Sequence, residues 1–311
     1  MCSQSCNNSS IPQRQLGKNG PKVPAISFGA MGLSISYGPA GSDEERFKVL
    51  DRAIELGSTY FDSSDVYGDN EDLLGKYFKK YPQQRQKVFL ATKFAGVFNP
   101  VTKAFSIRGD AEYVREACEK SLKRLSIDSI DLYYVHRIDK TVPIEETMEA
   151  LKELVKAGKI KYIGLSECSS NTLRRACAVH PVACVQIEYS PFCLDIEKEE
   201  IGLLKTCREL GVAIVSYSPL GRGMLTGQIK NPDDFDADDF RRLIPRDDFF
   251  VIPGTSKIKN LEENVGAAQV QLNQADLAEI RQVCEKADVV GDRYPAFVME
   301  TVFSDSAPKK N

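Results

Sequence analysis

The chain has 311 residues, which at about 150 residues per domain allows one large domain or two small ones. Its 42% hydrophobic and 27% charged residues belong to a folded globular protein and exclude wholesale disorder. With 41 Lys and Arg against 44 Asp and Glu, the net charge of -3 provides no field to gather nucleic acid or an anionic membrane surface, and no apolar stretch approaches the roughly 20 residues that span a bilayer.

Residues 1–10 are polar and rich in Ser and Asn. They lack the apolar centre of a secretory signal and the arginines of a transit peptide, so residues 1–14 are expected to be a disordered tail on a cytoplasmic protein. Short apolar runs then alternate with amphipathic segments. A strand is predicted over 23–28 and a helix over 43–56, which begins after Ser42 with Glu45 three positions on and stops at Gly57. Strand 60–62 precedes helix 70–78, strand 88–93 precedes helix 111–125, and strand 131–135 precedes helix 144–157. In the second half, strand 161–166 precedes helix 171–179 and strand 184–188 precedes helix 201–210, while 213–217 and 249–253 supply strands seven and eight.

Eight strands separated by helices fit an α/β fold of the (β/α)8 TIM-barrel type, a single domain over 15–302 with a disordered tail over 303–311. An open doubly wound sheet would place a glycine-rich phosphate turn after its first strand, where this chain reads G-A-M-G at 29–32. The glycines at 221, 223 and 227 also miss that spacing. Residues 221–248 contain Pro232 and Pro245 and no sustained helical period outside 237–243, so the helix between strands seven and eight is expected to be missing. The outer faces of Ile214 and Val215, and of Phe250 and Val251, should then be partly exposed.

Nine scattered cysteines include no C-x-x-C pair, and His136 and His180 are the only histidines, so reduced thiols and no metal site are expected. His180 closes a helix, and Tyr133 and Tyr134 pack in a strand. In a barrel the active site lies at the C-terminal ends of the strands. Four ionisable side chains converge there: Asp62 after strand two, Tyr67 in the following loop F-D-S-S-D-V-Y-G, Lys93 in A-T-K-F and His136 in Y-Y-V-H-R. A lysine at the end of an apolar strand needs a carboxylate partner, and Asp62 lies on the neighbouring strand. An ammonium beside a phenol favours the phenolate, which suits Tyr67 to general acid catalysis. A neutral His136 could orient the same substrate oxygen.

These residues carry a resemblance to the aldo-keto reductases, close to the microbial and plant branch that includes pyridoxal reductases. It runs from about residue 15 to 302 and includes I-G-L-S-E at 163–167, Q-I-E-Y-S-P at 186–191, S-Y-S-P-L-G-R-G at 216–223 and I-P-G-T-S-K-I-K-N-L-E-E-N at 252–264. The resemblance implies an NADPH-dependent oxidoreductase that reduces an aldehyde or ketone, with Tyr67 as proton donor, Asp62 and Lys93 as its tuning pair and His136 orienting the carbonyl. It implies that Ser166 and Gln186 hold the nicotinamide carboxamide and that Tyr217 stacks on the ring. Ser218, Leu220, Gly221 and Arg222 can offer donors to the pyrophosphate at the usual phosphate site of a barrel, and Gly254 opens the next turn. Thr255, Ser256 and Lys257 would cup the 2'-phosphate, and Glu263 with Asn264 would face the adenine. Glu167 stands where relatives often have Asn, and Asn260 where many have Arg or Lys. The alternative reading is a cofactor-binding regulatory barrel without catalysis, or a truncated, weakly active variant. The partner in either case is a small molecule, neither nucleic acid nor membrane.

Overall fold

Runs rich in β-branched and aromatic residues form the strands and amphipathic segments wrap them. A computed structural model describes residues 11–35, 40–98, 105–220, 249–286, 293–294 and 296–309. Eight parallel strands follow in chain order: β1 (Phe28–Gly29), β2 (Tyr60–Asp62), β3 (Phe89–Phe94), β4 (Ile130–Val135), β5 (Ile160–Ser166), β6 (Cys184–Glu188), β7 (Ala213–Tyr217) and β8 (Phe249–Val251). Each pairs with its neighbour, and parallel bridges from Ile26 to Val251 and from Gly29 to Gly254 bring β8 back to β1. This is a (β/α)8 barrel.

Helices α1 (Asp43–Glu55), α2 (Asn70–Lys80), α3 (Ala111–Leu125), α4 (Ile144–Lys156), α5 (Ser170–Val179) and α6 (Leu203–Leu210) follow β1 to β6 in turn, and α7 (Ile258–Gly266) and α8 (Gln274–Lys286) follow β8. The start of α1 is a capping box: Ser42 N donates to Glu45 Oε2 at 2.9 Å and Glu45 N to Ser42 Oγ at 3.3 Å, which satisfies two of the helix's unpaired amides. Strand alternation divides the apolar residues between two cores. Tyr60, Ala91, Leu132, Tyr134, Cys184 and Val215 fill the barrel, whereas Phe61, Leu90, Tyr133, Ile163 and Ile214 face the helices. Gly164 has no substitute in this packing, because a Cβ there would lie 2.5 Å from the Tyr134 ring.

The barrel differs from the sequence expectation in five places. The predicted strand over 23–28 is two elements: Lys22–Pro24 pairs antiparallel with Gln13–Gln15, and only Phe28–Gly29 joins the barrel. Residues 11–14 are therefore ordered. Ile11 is buried, and Leu16 and Val23 of this hairpin pack with the residues that fill the barrel. At the other end, 303–309 is not a disordered tail. Ser304 N donates to Glu167 O at 2.9 Å, Ser169 N to Ser304 O at 3.0 Å and Ser306 N to Thr172 Oγ1 at 3.1 Å. Such backbone stitching leaves no hydrophobic period to read. Residues 94–108 contain a second hairpin, Gly96–Phe98 with Phe105–Ile107. Last, Ile214 and Val215 are buried, at 1% and 0% exposure, because Val215 points into the barrel and Ile214 joins the cluster that includes Leu203 and Cys207 of α6. The crossover itself, 221–248, lies outside the described residues.

Candidate active site

The C-terminal ends of β2, β3 and β4 bring Asp62, Lys93 and His136 to one rim, and the loop after β2 returns Tyr67 to them. That loop is braced from both sides. Asp65 N donates to Lys93 O at 3.1 Å, Ser63 Oγ to Asn70 Oδ1 at 2.7 Å, and Asn70 Nδ2 to Ala30 O at 2.8 Å. Arg124 of α3 donates to Asp65 O at 2.9 Å and to the buried Glu71 at 3.0 Å, and Glu71 in turn accepts from Thr92 Oγ1 at 2.7 Å.

Lys93 is fully buried and Asp62 is 2% exposed. Lys93 Nζ donates to Asp62 Oδ1 at 2.5 Å, to Ser63 O at 2.7 Å and to Tyr67 Oη at 3.2 Å. Three acceptors match the three protons of an ammonium. Burial works against the charge on both partners. It pushes the Asp62 carboxyl above its ordinary range, opposed by Lys93, while Asp62 and Tyr67 together hold the Lys93 ammonium above its own. The ammonium also lies 4.8 Å from the centre of the Tyr67 ring.

The His136 ring stands edge-on to Tyr67, with 5.8 Å between ring centres, and its Nδ1 is 3.1 Å from Ser64 Oγ. Burial, with Arg137 and Lys93 nearby, holds its pKa well below the ordinary value, so the ring is neutral at physiological pH. A neutral imidazole can share a hydrogen bond with a substrate oxygen without adding a second positive charge to the pocket. One cavity is lined by Asp62, Tyr67, Ser218, Leu220, Ile252 and Gly254, so two of the four rim residues and two of the turns expected to hold a dinucleotide face a common space.

The remaining predicted residues divide. Ser166 is in register with Gln186 across β5 and β6, and its Oγ is buried with no hydrogen-bond partner among the described residues. A buried orphan hydroxyl beside an amide side chain fits a nicotinamide carboxamide. Gln186, however, already has a protein partner: its Nε2 donates to Asp62 Oδ2 at 2.8 Å. Tyr217 is not a free ring face alone, because its hydroxyl donates to Glu167 Oε1 at 2.7 Å and accepts from Tyr294 at 2.9 Å. Thr255 is buried and its Oγ1 accepts from Lys257 N at 3.0 Å, which shapes the turn entering α7, while Ser256 and Lys257 are exposed. Glu263 and Asn264 lie farther along α7 and do not line the cavity. Gly221 and Arg222 lie outside the described residues.

Sequence reasoning missed the partners of Glu167. This fully buried carboxylate has a left-handed backbone, φ 51°, and pairs with Arg293 at 3.3 Å; Arg293 also approaches Glu188 and Asp195 at 3.8 Å. Its departure from Asn was the available signal, since a buried carboxylate requires a cation. Ser63 and Ser64 were missed as well, because a backbone carbonyl and a hydroxyl in a loop have no pattern of their own. No group of three or more His, Cys, Asp or Glu among the described residues is placed to hold a metal ion.

Residues 25–246 match the Aldo/keto reductase family. The chain is 47% identical to "Aldo-keto reductase yakc [NADP(+)]" of Schizosaccharomyces pombe over 340 aligned residues, covering 96% of this chain and 99% of the relative. It is 48% identical to "Aldo-keto reductase str7" of Strobilurus tenacellus, covering 91% and 95%. Among solved structures, the holo form of aldo-keto reductase AKR11C1 from Bacillus halodurans superposes with a TM-score of 0.74 at 27% identity, covering 91% of this chain and 98% of that one. With the strand-end site and these matches together, the chain belongs to the aldo/keto reductase family.

Proposed function

We propose that the protein is an NADPH-dependent reductase that converts an aldehyde or ketone to an alcohol. NADPH, when bound, supplies the hydride for the carbonyl carbon. The chain supplies the proton: the Tyr67 hydroxyl gives it to the carbonyl oxygen, the Lys93 ammonium stabilises the phenolate left behind, and Asp62 keeps that ammonium charged. His136 orients the oxygen. The observation that carries this reading is the Lys93 ammonium with its third proton directed at Tyr67 Oη, 3.2 Å away, in the cavity that continues to Gly254.

Ser166 and Gln186 would take the carboxamide, Tyr217 the ring, and Ser218, Leu220, Gly221 and Arg222 the pyrophosphate. Thr255, Ser256 and Lys257 would take the 2'-phosphate and Glu263 with Asn264 the adenine. The NADP(+) in the name of the S. pombe relative supports the choice of cofactor, as does the exposed Lys257 at the start of α7. The shortened seventh crossover is consistent with a family match that ends at residue 246 and with an alignment of 340 residues against a chain of 311. We read the barrel with both stitched ends as one domain in the cytoplasm. Resemblance to the pyridoxal reductase branch places pyridoxal among the carbonyls to test, beside sugar-derived aldehydes and keto groups of specialised metabolites.

The test is NADPH oxidation against a panel of such carbonyls. Turnover with NADPH above that with NADH is the expected result. Tight NADPH binding without turnover of any member would instead favour the regulatory barrel.

A further inference from the structure

The Asp62 carboxylate lies in the barrel interior, 2% exposed, where water cannot solvate its charge. Its two oxygens have separate partners: Lys93 on Oδ1 at 2.5 Å, and Gln186, which reaches across from β6, on Oδ2 at 2.8 Å. Gln186 is itself 3% exposed. We propose that Gln186 is a positioning residue for proton transfer, holding Asp62 as the anion that keeps Lys93 charged beside Tyr67. The resemblance assigns Gln186 only to the cofactor's carboxamide. This inference rests on the function proposed above and adds a second role to the same side chain.

The state of the pair depends on where one proton resides. In a desolvated pair, the ionic form competes with a neutral carboxylic acid beside a neutral amine. Each hydrogen bond donated to the carboxylate favours the ionic form. An amide is well suited to this, because it donates without titrating and adds no charge to compete with Lys93. If the Gln186 donor is lost, the proton shifts toward Asp62, whose acid then donates to a neutral amine. Tyr67 then loses the cation that favours its phenolate.

The other groups facing the pair do not confuse the test. Tyr60 and Tyr134 are hydrogen-bonded to each other at 2.8 Å, and Tyr134 to Cys184 at 3.1 Å. Burial pushes both phenols well up and the Cys184 thiol up to about 12, so all three stay neutral over the working pH range. Among the described residues, the titratable groups left beside the pair are Tyr67 and His136.

The experiment compares wild type with Gln186→Leu and Gln186→Glu. In the cofactor-free proteins, carbon-13 NMR follows the Asp62 carboxyl against pH, assigned by its loss in Asp62→Asn. The titration midpoint should rise by about one unit or more in Gln186→Leu; an unchanged midpoint overturns the proposal whether or not the enzyme turns over the chosen carbonyls. In steady-state kinetics at saturating NADPH, Gln186→Leu should lose at least about tenfold in kcat at neutral pH, with the alkaline limb of its profile moved upward. In Gln186→Glu the protonated acid can still donate to Asp62, so its kcat should approach wild type near pH 5 and fall as pH rises. A Leu variant with wild-type kcat and pH profile and only weaker NADPH binding would reduce Gln186 to a cofactor contact. Equal loss in the two variants at every pH would also overturn the inference. Failure of wild type to reduce any carbonyl would instead count against the proposed function, leaving the NMR result to stand on its own.

Discussion

The two sides of the barrel mouth are built on different principles. Around β2 to β4 the polar groups are committed to one another: Lys93 uses all three protons, Asp62 both oxygens, and Glu71 is tied to Thr92 and Arg124. On the other side Ser166 Oγ is buried without a partner among the described residues, and Ser256 and Lys257 are open to solvent. The first side is organised before any ligand arrives, so little reorganisation accompanies proton transfer. The second pairs Tyr217, Glu167 and Arg293 among themselves but leaves Ser166 Oγ without a partner among the described residues and Ser256 and Lys257 exposed. Substitutions on the first side should therefore affect folding or chemistry, and those on the second should affect affinity.

The largest effect should come from Lys93→Met, which leaves the Asp62 carboxyl buried without its cation. Breaking a buried pair in this way costs about 3–5 kcal/mol, to be measured by urea denaturation, and carbonyl reduction should be lost; full stability would mean that Asp62 needs no counter-charge. Next is Tyr67→Phe, with reduction lower by at least about a hundredfold, or roughly 2.7 kcal/mol in barrier, and NADPH affinity nearly unchanged. Retained turnover would assign the proton to another group.

Ser166→Ala brings the comparison to a single atom. Its hydroxyl has no partner among the described residues, so thermal stability should stay level or rise, whereas NADPH binding should weaken by about 1 kcal/mol, close to fivefold. A drop in stability with no change in affinity would reverse the assignment. Lys257→Ala should narrow the preference for NADPH over NADH, and the wild-type preference should shrink with added salt. Equal affinity of wild type for the two cofactors, read by fluorescence titration, would remove the 2'-phosphate from this turn.

The last effect is read only against pH and lies in the loop that carries Tyr67. Burial, with Glu71 nearby, raises the Asp65 carboxyl from an ordinary 3.8 to about 7. A folded value above the unfolded one favours folding while the group is protonated, so this contribution is complete below about pH 4 and disappears as pH rises through about 7. Asp65→Asn should therefore reduce the loss of stability between pH 5 and pH 8. Equal losses in the two proteins would show that the Asp65 carboxyl is not held protonated.

Where the chain repeats a period, its sequence is legible. The bounds predicted for α3, β2, β6 and β7 are those in the structure, because their apolar spacing and flanking caps are local properties. The hairpin that begins at Gln13 was not legible because its three-residue strands are too short to show a period, and the stitched residues 303–309 were not because their order comes from backbone pairs with distant Glu167 and Ser169. The same division runs through the site. Asp62, Lys93 and His136 could be placed by the rule that barrel strands present their C-terminal ends to the site. The contacts from Gln186 to Asp62 and from Arg293 to Glu167 span 124 and 126 residues, and no local pattern encodes them.

The closure between β1 and β8 has a further consequence. The two-residue β1 meets β8 through isolated bridges at Ile26 and Gly29, and a Cβ at Gly29 would lie 2.5 Å from Ile252 O. The cylinder thus has a seam that few hydrogen bonds hold and that bulkier residues would spread. Amides along a weakly paired edge open more often than those in a continuous ladder. Gly29, Ile252 and Gly254 also line the cavity that reaches Tyr67. A ligand bound there touches both edges, so its binding free energy opposes their separation. Occupancy and integrity of the barrel become linked quantities, and hydrogen exchange at Gly29 and Val251 should slow as the cavity fills.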